Sequence, residues 1–406
     1  MTVTIRHPEP KDSSRLFELY KEAFGITDKS WDDYVKRTDY NYSRSIVVCE
    51  NDEIAAHGRS YDFQMFLRGV PIRVGGIADL ATFSEFRRKG YAKLIVRKLL
   101  QNDFEEERGA AILYPFLTKF YQELGWETVG TDLTIYFDPR IINVSRPSEN
   151  IKLAPFKESD LPEVMEFYEN VAKKKYSLLV RSREYWSTIL KRQQRKIVIR
   201  EDNKVVGYFF VNRKSYTSWE FPHWRGRIII NEWLAETPEA VQALFWYLQV
   251  WKNSITELRL RVPSLETIPF RLFLNDNDFK IASNNGLMGR VVSIESLFSS
   301  LKWPKDLTAK LTFNIKDNLL PQNNGTWELT VEDGKFISIE TKKNFVSGDY
   351  LKMDVRNLSG IVFGGYTTQT LYKYGLVKIN SNNVGKVLSL WEQAFPPWQG
   401  FMFDFF

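Results

Sequence analysis

The stretch Phe83–Leu100, with the sequence FSEFRRKGYAKLIVRKLL, places two arginines, a lysine and a glycine directly before an apolar helical pattern. From Ala92 to Leu100, the apolar residues recur every three or four positions, which is the spacing of one helix face. The preceding segment GGIADLATF (Gly75–Phe83) is typical of a buried strand. The sequence therefore predicts a basic, glycine-containing turn that joins a buried strand to a helix.

This turn has the features of an anion-binding site. The first turn of a helix offers backbone N–H groups without helical partners and the positive end of the helix dipole. Gly90 lets the backbone come close to a ligand because it has no Cβ, and Ala92 is similarly small. Arg87 and Arg88 can add charge-assisted hydrogen bonds to phosphate oxygens. We expect a pyrophosphate site, and a solvated basic turn in an ordinary strand–helix unit is the alternative.

Two halves of the chain carry similar patterns. SIVVCENDEIAAHGRSY (Ser45–Tyr61) and KIVIREDNKVVGYFFV (Lys196–Val211) each have a β-branched run, a polar turn and a second apolar run, which predicts two β-hairpins. A short strand, a loop with capping residues and an amphipathic helix precede each hairpin, in TIRHPEPKDSSRLFELYKEAF and in IKLAPFKESDLPEVMEFYENVA. This internal repeat predicts two copies of one domain.

The sequence from about Val291 onward does not follow the repeat. TWELTVEDGKFISIET (Thr326–Thr341) predicts a hairpin with an Asp-Gly turn. Thr367–Gly375 and Asn383–Phe395 are each predicted to form a helix. We therefore expect a third, smaller domain that mixes helices and strands.

The composition narrows the class of protein. The 406 residues are 43% hydrophobic and 15% aromatic, which excludes a disordered chain. No apolar run approaches the ~18 residues of a membrane-spanning helix, and the first residues lack the layout of a signal peptide. Cys49 is the only cysteine, so an internal disulfide is impossible. We expect a cytoplasmic protein with no membrane partner.

The formal net charge is +6 and the pI is ≈ 9.0. Both signs of charge are interleaved along the chain, whereas nucleic-acid-binding proteins usually concentrate their cations on one element. We therefore expect no nucleic-acid partner, and an anionic small ligand or solubility accounts for the modest positive excess. The three histidines, His7, His57 and His223, and one cysteine are too few for a typical structural zinc site, so we expect no metal.

The motifs resemble those of a known superfamily. The turn Arg87-x-x-Gly90-x-Ala92 is similar to the acyl-CoA pyrophosphate loop of the GNAT (Gcn5-related N-acetyltransferase) superfamily, and FYQELGWE (Phe120–Glu127) is similar to its later helix-to-strand element. Two such domains before a smaller one resemble the enhanced intracellular survival (Eis) family, whose third domain is similar to sterol carrier proteins. LPQNNGTWELTV (Leu320–Val331) fits that third domain.

The resemblance implies an α+β (α/β) fold with two tandem GNAT-like domains and a C-terminal sterol-carrier-protein-like α+β domain. We place the N-terminal GNAT acetyltransferase domain at residues 1–145, the second GNAT-like domain at 146–287 and the third domain at 288–406. The second copy lacks the CoA-binding turn, and Glu232, Glu236 and Glu239 in the matching region would repel phosphate. We expect only the first copy to bind acetyl-CoA.

The resemblance also implies the chemistry, which is direct transfer of an acetyl group from the co-substrate acetyl-CoA to an amine. Leu80 and Thr82 would offer backbone groups to the pantetheine arm and the thioester oxygen, where such a donor can contribute roughly 3–4 kcal/mol. The residues that would bind acetyl-CoA are Leu80, Thr82, Arg87, Arg88, Lys89, Gly90, Tyr91 and Ala92. Tyr121 would act as the general acid that protonates the leaving thiolate, and its alternative is a core tyrosine beside Phe120.

The C-terminus would supply the base. In the Eis family the terminal carboxylate is thought to act as general base, which implies this role for Phe406. The tail ends in PPWQGFMFDFF and is apolar enough to require burial, although simple docking of the C-terminus would also explain it. Asp404 is a possible substitute base, and an exposed tail charge is the favoured interpretation of this residue.

The acceptor is less well indicated by the sequence. The family implies an aminoglycoside-like polyamine or a lysine side chain as acceptor, and a hexamer as the assembly. The segment DKSWDD (Asp28–Asp33) offers carboxylates and an aromatic ring to a cationic acceptor, and a solvated helix cap explains it equally well. A non-catalytic protein that binds acyl-CoA or lipid through the C-terminal domain is the alternative function.

Overall fold

The computed structural model describes residues 2–32, 42–215, 226–263, 279–284, 286–342, 348–398 and 400–406. The strands are β1 (Val3–Arg6), β2 (Ser45–Glu50), β3 (Glu53–Leu67), β4 (Val70–Thr82), β5 (Ala110–Leu113), β6 (Glu127–Thr128), β7 (Asp132–Phe137), β8 (Ile151–Pro155), β9 (Arg195–Glu201), β10 (Lys204–Ser215), β11 (Gly226–Ile230), β12 (Trp233–Ala235), β13 (Ile255–Val262), β14 (Phe279–Asn284), β15 (Met288–Val291), β16 (Ala309–Lys316), β17 (Gly325–Glu332), β18 (Lys335–Lys342), β19 (Tyr350–Asp354) and β20 (Lys378–Asn380). The helices are α1 (Ser13–Phe24), α2 (Tyr91–Glu105), α3 (Thr118–Gln122), α4 (Leu161–Lys175), α5 (Arg183–Lys191), α6 (Pro238–Gln249), α7 (Ile294–Ser300), α8 (Val355–Phe363), α9 (Thr368–Lys373) and α10 (Val384–Ala394). Together they confirm the predicted α+β (α/β) class.

The first sheet has the order β1-β2-β3-β4-β5-β15-β6, and within it β4 and β5 are paired in parallel. Asn51 and Asp52 form the tight turn between β2 and β3 with φ of 49° and 67°, which suits a hairpin because both residues adopt positive φ. Helix α2 buries Ile95, Val96 and Leu99 in the core of this domain. The helix predicted after the basic turn is therefore confirmed.

The second sheet repeats this arrangement. Its order is β14-β7-β13-β11-β10-β9-β8, with β12 paired to β10, and its parallel pair is β11 with β13. Asp202 and Asn203 form the turn of the β9–β10 hairpin with φ of 47° and 70°. Helix α4 precedes this hairpin as α1 precedes the first one. The predicted internal repeat is confirmed at the level of strands and helices.

The two sheets exchange strands. Strand β7 pairs with β13 and β14 in the second sheet, although it lies before residue 145. Strand β15 lies between β5 and β6 in the first sheet, although it begins at Met288. Sheet membership therefore crosses both of the boundaries placed from the sequence, and those boundaries stay a prediction. The first sheet thus includes a strand from beyond residue 287, and the second sheet includes a strand from before residue 145.

The third sheet has the order β18-β17-β16-β19-β20. Asp333 and Gly334 turn the β17–β18 hairpin, and α9 and α10 begin after the caps Thr367 and Asn383, as the sequence predicts. The core of this domain is filled by aromatic rings in contact with one another, namely Phe298, Trp303, Phe313, Trp391 and Phe395. Across the described ranges, no helix is both long and apolar enough to cross a membrane.

Candidate active site

Strands β4 and β5 separate and leave a fork in the first sheet. Their parallel pairing ends with Gly76 opposite Ile112, whereas β4 continues to Thr82. Asp79 has a φ of 55°, and the pairing of β4 with β3 shifts register at this point. The shift bends β4 away from β5, so the β4 residues after Asp79 form one side of the fork.

A cavity of about 580 Å³ lies between this fork and the start of α2. It is lined by most of the residues predicted to bind acetyl-CoA, namely Leu80, Thr82, Arg87, Arg88, Gly90, Tyr91 and Ala92. Phe24, Phe116 and Phe120 add an apolar wall. The cavity therefore combines a cationic end with an aromatic side, as a ligand with a charged and an apolar part would require.

The start of α2 is open to an anion. Gly90 is the N-cap residue in the left-handed conformation with a φ of 86°, and no side chain caps the first turn. A Cβ at Gly90 would meet no atom within 4 Å, so the backbone conformation rather than space requires glycine here. Arg88 also has a positive φ of 65°. This pair of left-handed residues lies directly before uncapped N–H groups, which suits phosphate binding.

Lys89 departs from the predicted binding set. Its Nζ donates to both carboxylate oxygens of Glu50, at 2.8 and 2.9 Å, and it is absent from the cavity wall. The Tyr91 hydroxyl donates to the same carboxylate, and this hydrogen bond raises the pKa of Tyr91 to about 12. The ion pair with Lys89 in turn lowers the pKa of Glu50. Sequence reasoning missed Glu50, whose carboxylate stabilises the turn by accepting hydrogen bonds from Lys89 and Tyr91.

A second carboxylate holds the other side of the turn. Glu22 on α1 accepts a hydrogen bond from the Ser84 N–H at 2.8 Å, and its Oε1 lies 3.7 Å from an Arg87 nitrogen. Arg87 also donates from Nε to the Thr82 carbonyl at 3.2 Å. Because the Arg87 side chain remains 59% exposed, its guanidinium can still contact a ligand. Nothing in the sequence near Glu22 signalled this contact.

Tyr121 lies in an aromatic cluster beside the cavity. It is 3% exposed, and its ring contacts Phe116, Phe120 and Trp126 at centroid distances of 5.5, 5.0 and 6.1 Å. Burial raises the pKa of Tyr121 above its ordinary value, so the hydroxyl is protonated at neutral pH. Two of its ring neighbours, Phe116 and Phe120, line the cavity. Its role as general acid stays a prediction.

The C-terminal tail runs through the interior of the molecule. A Cβ at Gly400 would lie 1.9 Å from the Val129 carbonyl oxygen, so only glycine allows the tail to cross the first domain here. Phe401 and Phe403 are buried, which agrees with the expectation for an apolar tail. Phe405 differs because it is 60% exposed, with its ring 4.6 Å from that of Tyr114.

The last residue lies at the fork. The Phe406 ring contacts those of Phe63, Tyr114 and Tyr61 at 5.0, 6.1 and 6.2 Å. A Cβ at Gly76 would come within 3.0 Å of the Phe406 ring, and Gly76 belongs to the last pair before β4 and β5 separate. The structure therefore brings the end of the chain to the point where the fork opens.

The structure corrects the expectation for Asp404 and narrows the one for the DKSWDD segment. Asp404 is not an exposed tail charge, because it is buried and forms an ion pair with Arg181 at 2.9 Å. Trp31 in the DKSWDD segment is buried against Tyr20, at a ring distance of 5.1 Å, and belongs to the core. Asp28 and Asp32 are exposed. Residue 33 lies outside the described ranges.

Family models match three parts of the chain. One acetyltransferase (GNAT) domain model matches residues 4–129, a second acetyltransferase (GNAT) domain model matches residues 177–291, and a sterol carrier protein domain model matches residues 294–400. These matches follow the order of the three sheets. No curated protein sequence matches the chain.

Several solved structures share the whole fold. The chain is similar to a GCN5-related N-acetyltransferase from Anabaena variabilis (TM-score 0.86, 19% identity), to a probable N-acyltransferase from Enterococcus faecalis (0.85, 17%) and to Eis1 from Mycobacterium abscessus (0.77, 17%). Each of these comparisons covers 100% of both chains. The chain therefore belongs to the GNAT superfamily of acetyltransferases, and its two GNAT domains and sterol carrier protein domain have the layout of the Eis family.

Proposed function

We propose that the chain transfers the acetyl group of acetyl-CoA directly to a primary amine, on an aminoglycoside-like polyamine or a lysine side chain. The observation that carries this proposal is the convergence of three features on one fork. An uncapped helix start lies beside a cavity of about 580 Å³, and the chain's last residue lies where β4 and β5 part. The three features match the needs of a phosphate-bearing donor, a thioester and a base.

The cradle before α2 would hold the pyrophosphate. Backbone N–H groups after Gly90 and the side chains of Arg87 and Arg88 are available on the cavity wall. Glu50 would keep the turn in shape through Lys89 and Tyr91 without reaching the ligand. The pantetheine arm would then run along β4 past Leu80 and Thr82.

The transfer step would need one acid and one base. The amine nitrogen attacks the thioester carbonyl carbon, the new C–N bond forms, and the C–S bond breaks to release CoA thiolate. Tyr121 would give its phenolic proton to that thiolate, and its burial favours the protonated form it needs. The Phe406 carboxylate would take the proton that the amine loses, which the position of Phe406 at the fork supports.

The surroundings of Phe406 favour an amine acceptor. Tyr61, Phe63 and Tyr114 form an aromatic surface around the end of the chain, and aromatic faces attract ammonium groups. Arg59 already lies over the Tyr61 ring at 4.2 Å, and Arg261 lies over the Phe405 ring at 4.3 Å. Because these cations compete with a polycationic acceptor, acceptors with one amine and with several need to be compared.

The test is release of free thiol from acetyl-CoA with kanamycin, neomycin and a lysine peptide as separate acceptors. The proposal predicts turnover with at least one amine and an acetylated product whose mass rises by one acetyl group. A variant with one glycine after Phe406 should keep acetyl-CoA binding and lose at least about 100-fold in kcat, as expected for removal of a general base. No thiol release with any amine, despite acetyl-CoA binding, would contradict the transfer reaction.

The remaining expectations concern the oligomeric state, location, partners and metal content of the protein. The Eis layout suggests a homo-oligomer, with the hexamer as the specific prediction, and light scattering of the purified chain measures it. Cytoplasmic location and the lack of nucleic-acid and membrane partners stay predictions. The expectation of no metal also stays a prediction, and the described residues contain no group of three or more potential metal ligands.

A further inference from the structure

The strand pairing of the two GNAT domains shows which residues correspond at their forks. In the first domain, Ala56 on β3 follows the bulge after the hairpin turn and pairs with Thr82 on β4. In the second domain, Gly207 on β10 follows the equivalent bulge and pairs with Ala235 on β12. Thr82 and Ala235 therefore occupy the same place in the two folds.

Counting back from these positions aligns Leu80 with Trp233, and Glu232 directly precedes Trp233. The second fork is closed at the place where the first is open. The indole Nε1–H of Trp233 donates to the Arg261 carbonyl on β13 at 2.8 Å, and the Trp233 side chain is buried. An aromatic side chain thus occupies the second fork at the place that corresponds to Leu80 in the first domain.

Glu232 takes part in a buried ion cluster that includes the tail. Arg181 donates from both terminal nitrogens to Glu232 at 2.7 and 2.9 Å, and its Nε donates to Asp404 at 3.1 Å. Its guanidinium lies near the rings of Tyr168 and Trp186, at 4.5 and 4.8 Å, and its side chain is fully buried. Release of Asp404 would remove the acceptor of the buried Arg181 Nε–H, which is unfavourable although Arg181 keeps its ion pair with Glu232.

A second arginine of the same domain holds the tail backbone. Arg261 donates to the carbonyl oxygens of Met402 and Phe403 at 2.8 and 2.9 Å. The Tyr114 hydroxyl of the first domain also donates to the Met402 carbonyl, at 3.1 Å. These contacts come from both GNAT domains, so the tail is fixed between them just before its end.

The distance from this anchor to the chain end is short. Two residues follow Asp404, and an extended chain spans at most about 3.6 Å per residue. We propose that the closed fork of the second GNAT domain has become an anchor for the C-terminal tail, in which Glu232 and Arg181 hold Asp404 and thereby position the Phe406 carboxylate at the fork of the first domain. Arg181 and Asp404 are then positioning residues. The catalytic part of this inference rests on the proposed function.

The anchor itself is tested without any assay of activity. Carboxypeptidase Y digestion of the full-length protein, followed by intact mass, reports how far the tail opens. Wild type should be trimmed slowly beyond position 404, and Asp404→Asn should be trimmed there about tenfold faster or more, because the hydrogen bonds from Arg181 to the tail lose their charged acceptor. Asp160→Asn is the matched control, since it breaks the Asp160–Arg200 pair of the same domain at 2.9 Å. Equal rates in the Asp404 variant, the control and the wild type would overturn the anchor.

The positioning role is tested by combining Asp404→Asn with the glycine added after Phe406. Asp404→Asn alone should lower kcat by about tenfold or more, and the added glycine alone by about 100-fold or more. The KM for acetyl-CoA should stay within about twofold in both variants, because neither change touches the cradle. The combined variant should be no slower than the glycine variant alone, since both act through the same carboxylate. Multiplicative losses, or full kcat in Asp404→Asn, would overturn the positioning role.

The two tests separate the two hypotheses. If the added glycine leaves kcat unchanged, the proposed terminal base is wrong, and the carboxypeptidase result still decides whether the second fork holds the tail. If the added glycine lowers kcat but Asp404→Asn changes neither kcat nor trimming, the base stands and the anchor is wrong. Asp160→Asn should retain wild-type kcat in both cases.

Discussion

The two GNAT domains share a topology but start the helix after the fork in opposite ways. In the first domain α2 starts after Gly90 without a side-chain cap, and Arg87 and Arg88 lie directly before it. In the second domain α6 starts after Thr237, whose hydroxyl accepts the Ala240 N–H at 3.1 Å. The first helix therefore has free donors and cations nearby, whereas the second has already satisfied a donor internally.

The difference teaches that a shared fold does not imply a shared site. Glu239 adds a negative charge in the first turn of α6. This charge interacts favourably with the helix dipole but would repel a phosphate. Trp233 closes the second fork, while Leu80 at the same place lines an open cavity. We propose that these few local side chains decide which copy can accept acetyl-CoA, and that only the first does.

The largest effect in this comparison is expected from loss of the Tyr121 hydroxyl, the proposed general acid of the first domain. Tyr121→Phe removes only the hydroxyl and should lower kcat by about 100-fold or more, with little change in the KM for acetyl-CoA. The control is Tyr247→Phe, which alters a tyrosine packed against Phe209 in the second domain. Steady-state thiol release measures both variants, and an unchanged kcat for Tyr121→Phe would remove this residue from the mechanism.

The next effect concerns the cations of the open helix start. Replacing Arg87 and Arg88 together by alanine should raise the KM for acetyl-CoA by about tenfold to a hundredfold. Both side chains are exposed, so we expect the combined loss of their hydrogen bonds to phosphate to be about 1.5–3 kcal/mol. The kcat should change much less. A double variant with unchanged KM would show that the cradle does not depend on these side chains.

The pH dependence of stability is expected to differ between the two domains, because a buried histidine in the first corresponds to a tyrosine in the second. His57 is fully buried, and burial lowers its pKa to about 3, whereas the corresponding residue in the second domain is the tyrosine Tyr208. In the unfolded chain His57 takes up a proton near pH 6.5, whereas in the folded chain its pKa is about 3. The free energy of unfolding therefore falls as the pH drops from 6.5 towards 3. Between pH 7 and pH 5 this amounts to about 2 kcal/mol.

His57→Asn should remove that part of the acid sensitivity. The asparagine amide can still donate to the Asp79 carbonyl, which His57 Nδ1 contacts at 3.2 Å. Denaturant unfolding at pH 7 and pH 5 measures the difference in the free energy of unfolding for both proteins. If the two proteins lose the same stability between these pH values, His57 is not the group responsible.

The smallest effect is expected at the capped helix. Thr237→Ala should lower the free energy of unfolding by about 1 kcal/mol through loss of the N-cap, with no change in acetyl-CoA affinity. Denaturant unfolding and calorimetry measure these two quantities. A change in acetyl-CoA affinity would mean that the second helix start also contacts the donor.

The parts of the fold with a local signal could be predicted from the sequence. The hairpin turn at Asn51 and Asp52 follows from residues that tolerate positive φ, and α2 follows from the spacing of Ile95, Val96 and Leu99. The candidate cradle could be predicted for the same reason, since the turn and the helix start are contiguous in the chain. Gly90 was expected to allow close approach, but its positive φ is the structural reason for glycine.

Features that depend on distant pairing could not be predicted. The exchange of β7 and β15 between sheets leaves no mark in local periodicity, because the same strand pattern suits either sheet. Asp404 looked like an exposed charge because its partner Arg181 lies far away in sequence. Lys89 looked like a phosphate ligand because Glu50, which holds its side chain, is on another strand.

The most direct test of the account is the number of acetyl-CoA molecules bound per chain, measured by titration calorimetry on wild type and on the Arg87→Ala, Arg88→Ala double variant. The account predicts one site per chain, which the double variant weakens in the range given for its KM. Two sites per chain, or a single site of unchanged affinity in the double variant, would contradict the claim that only the first fork accepts the donor.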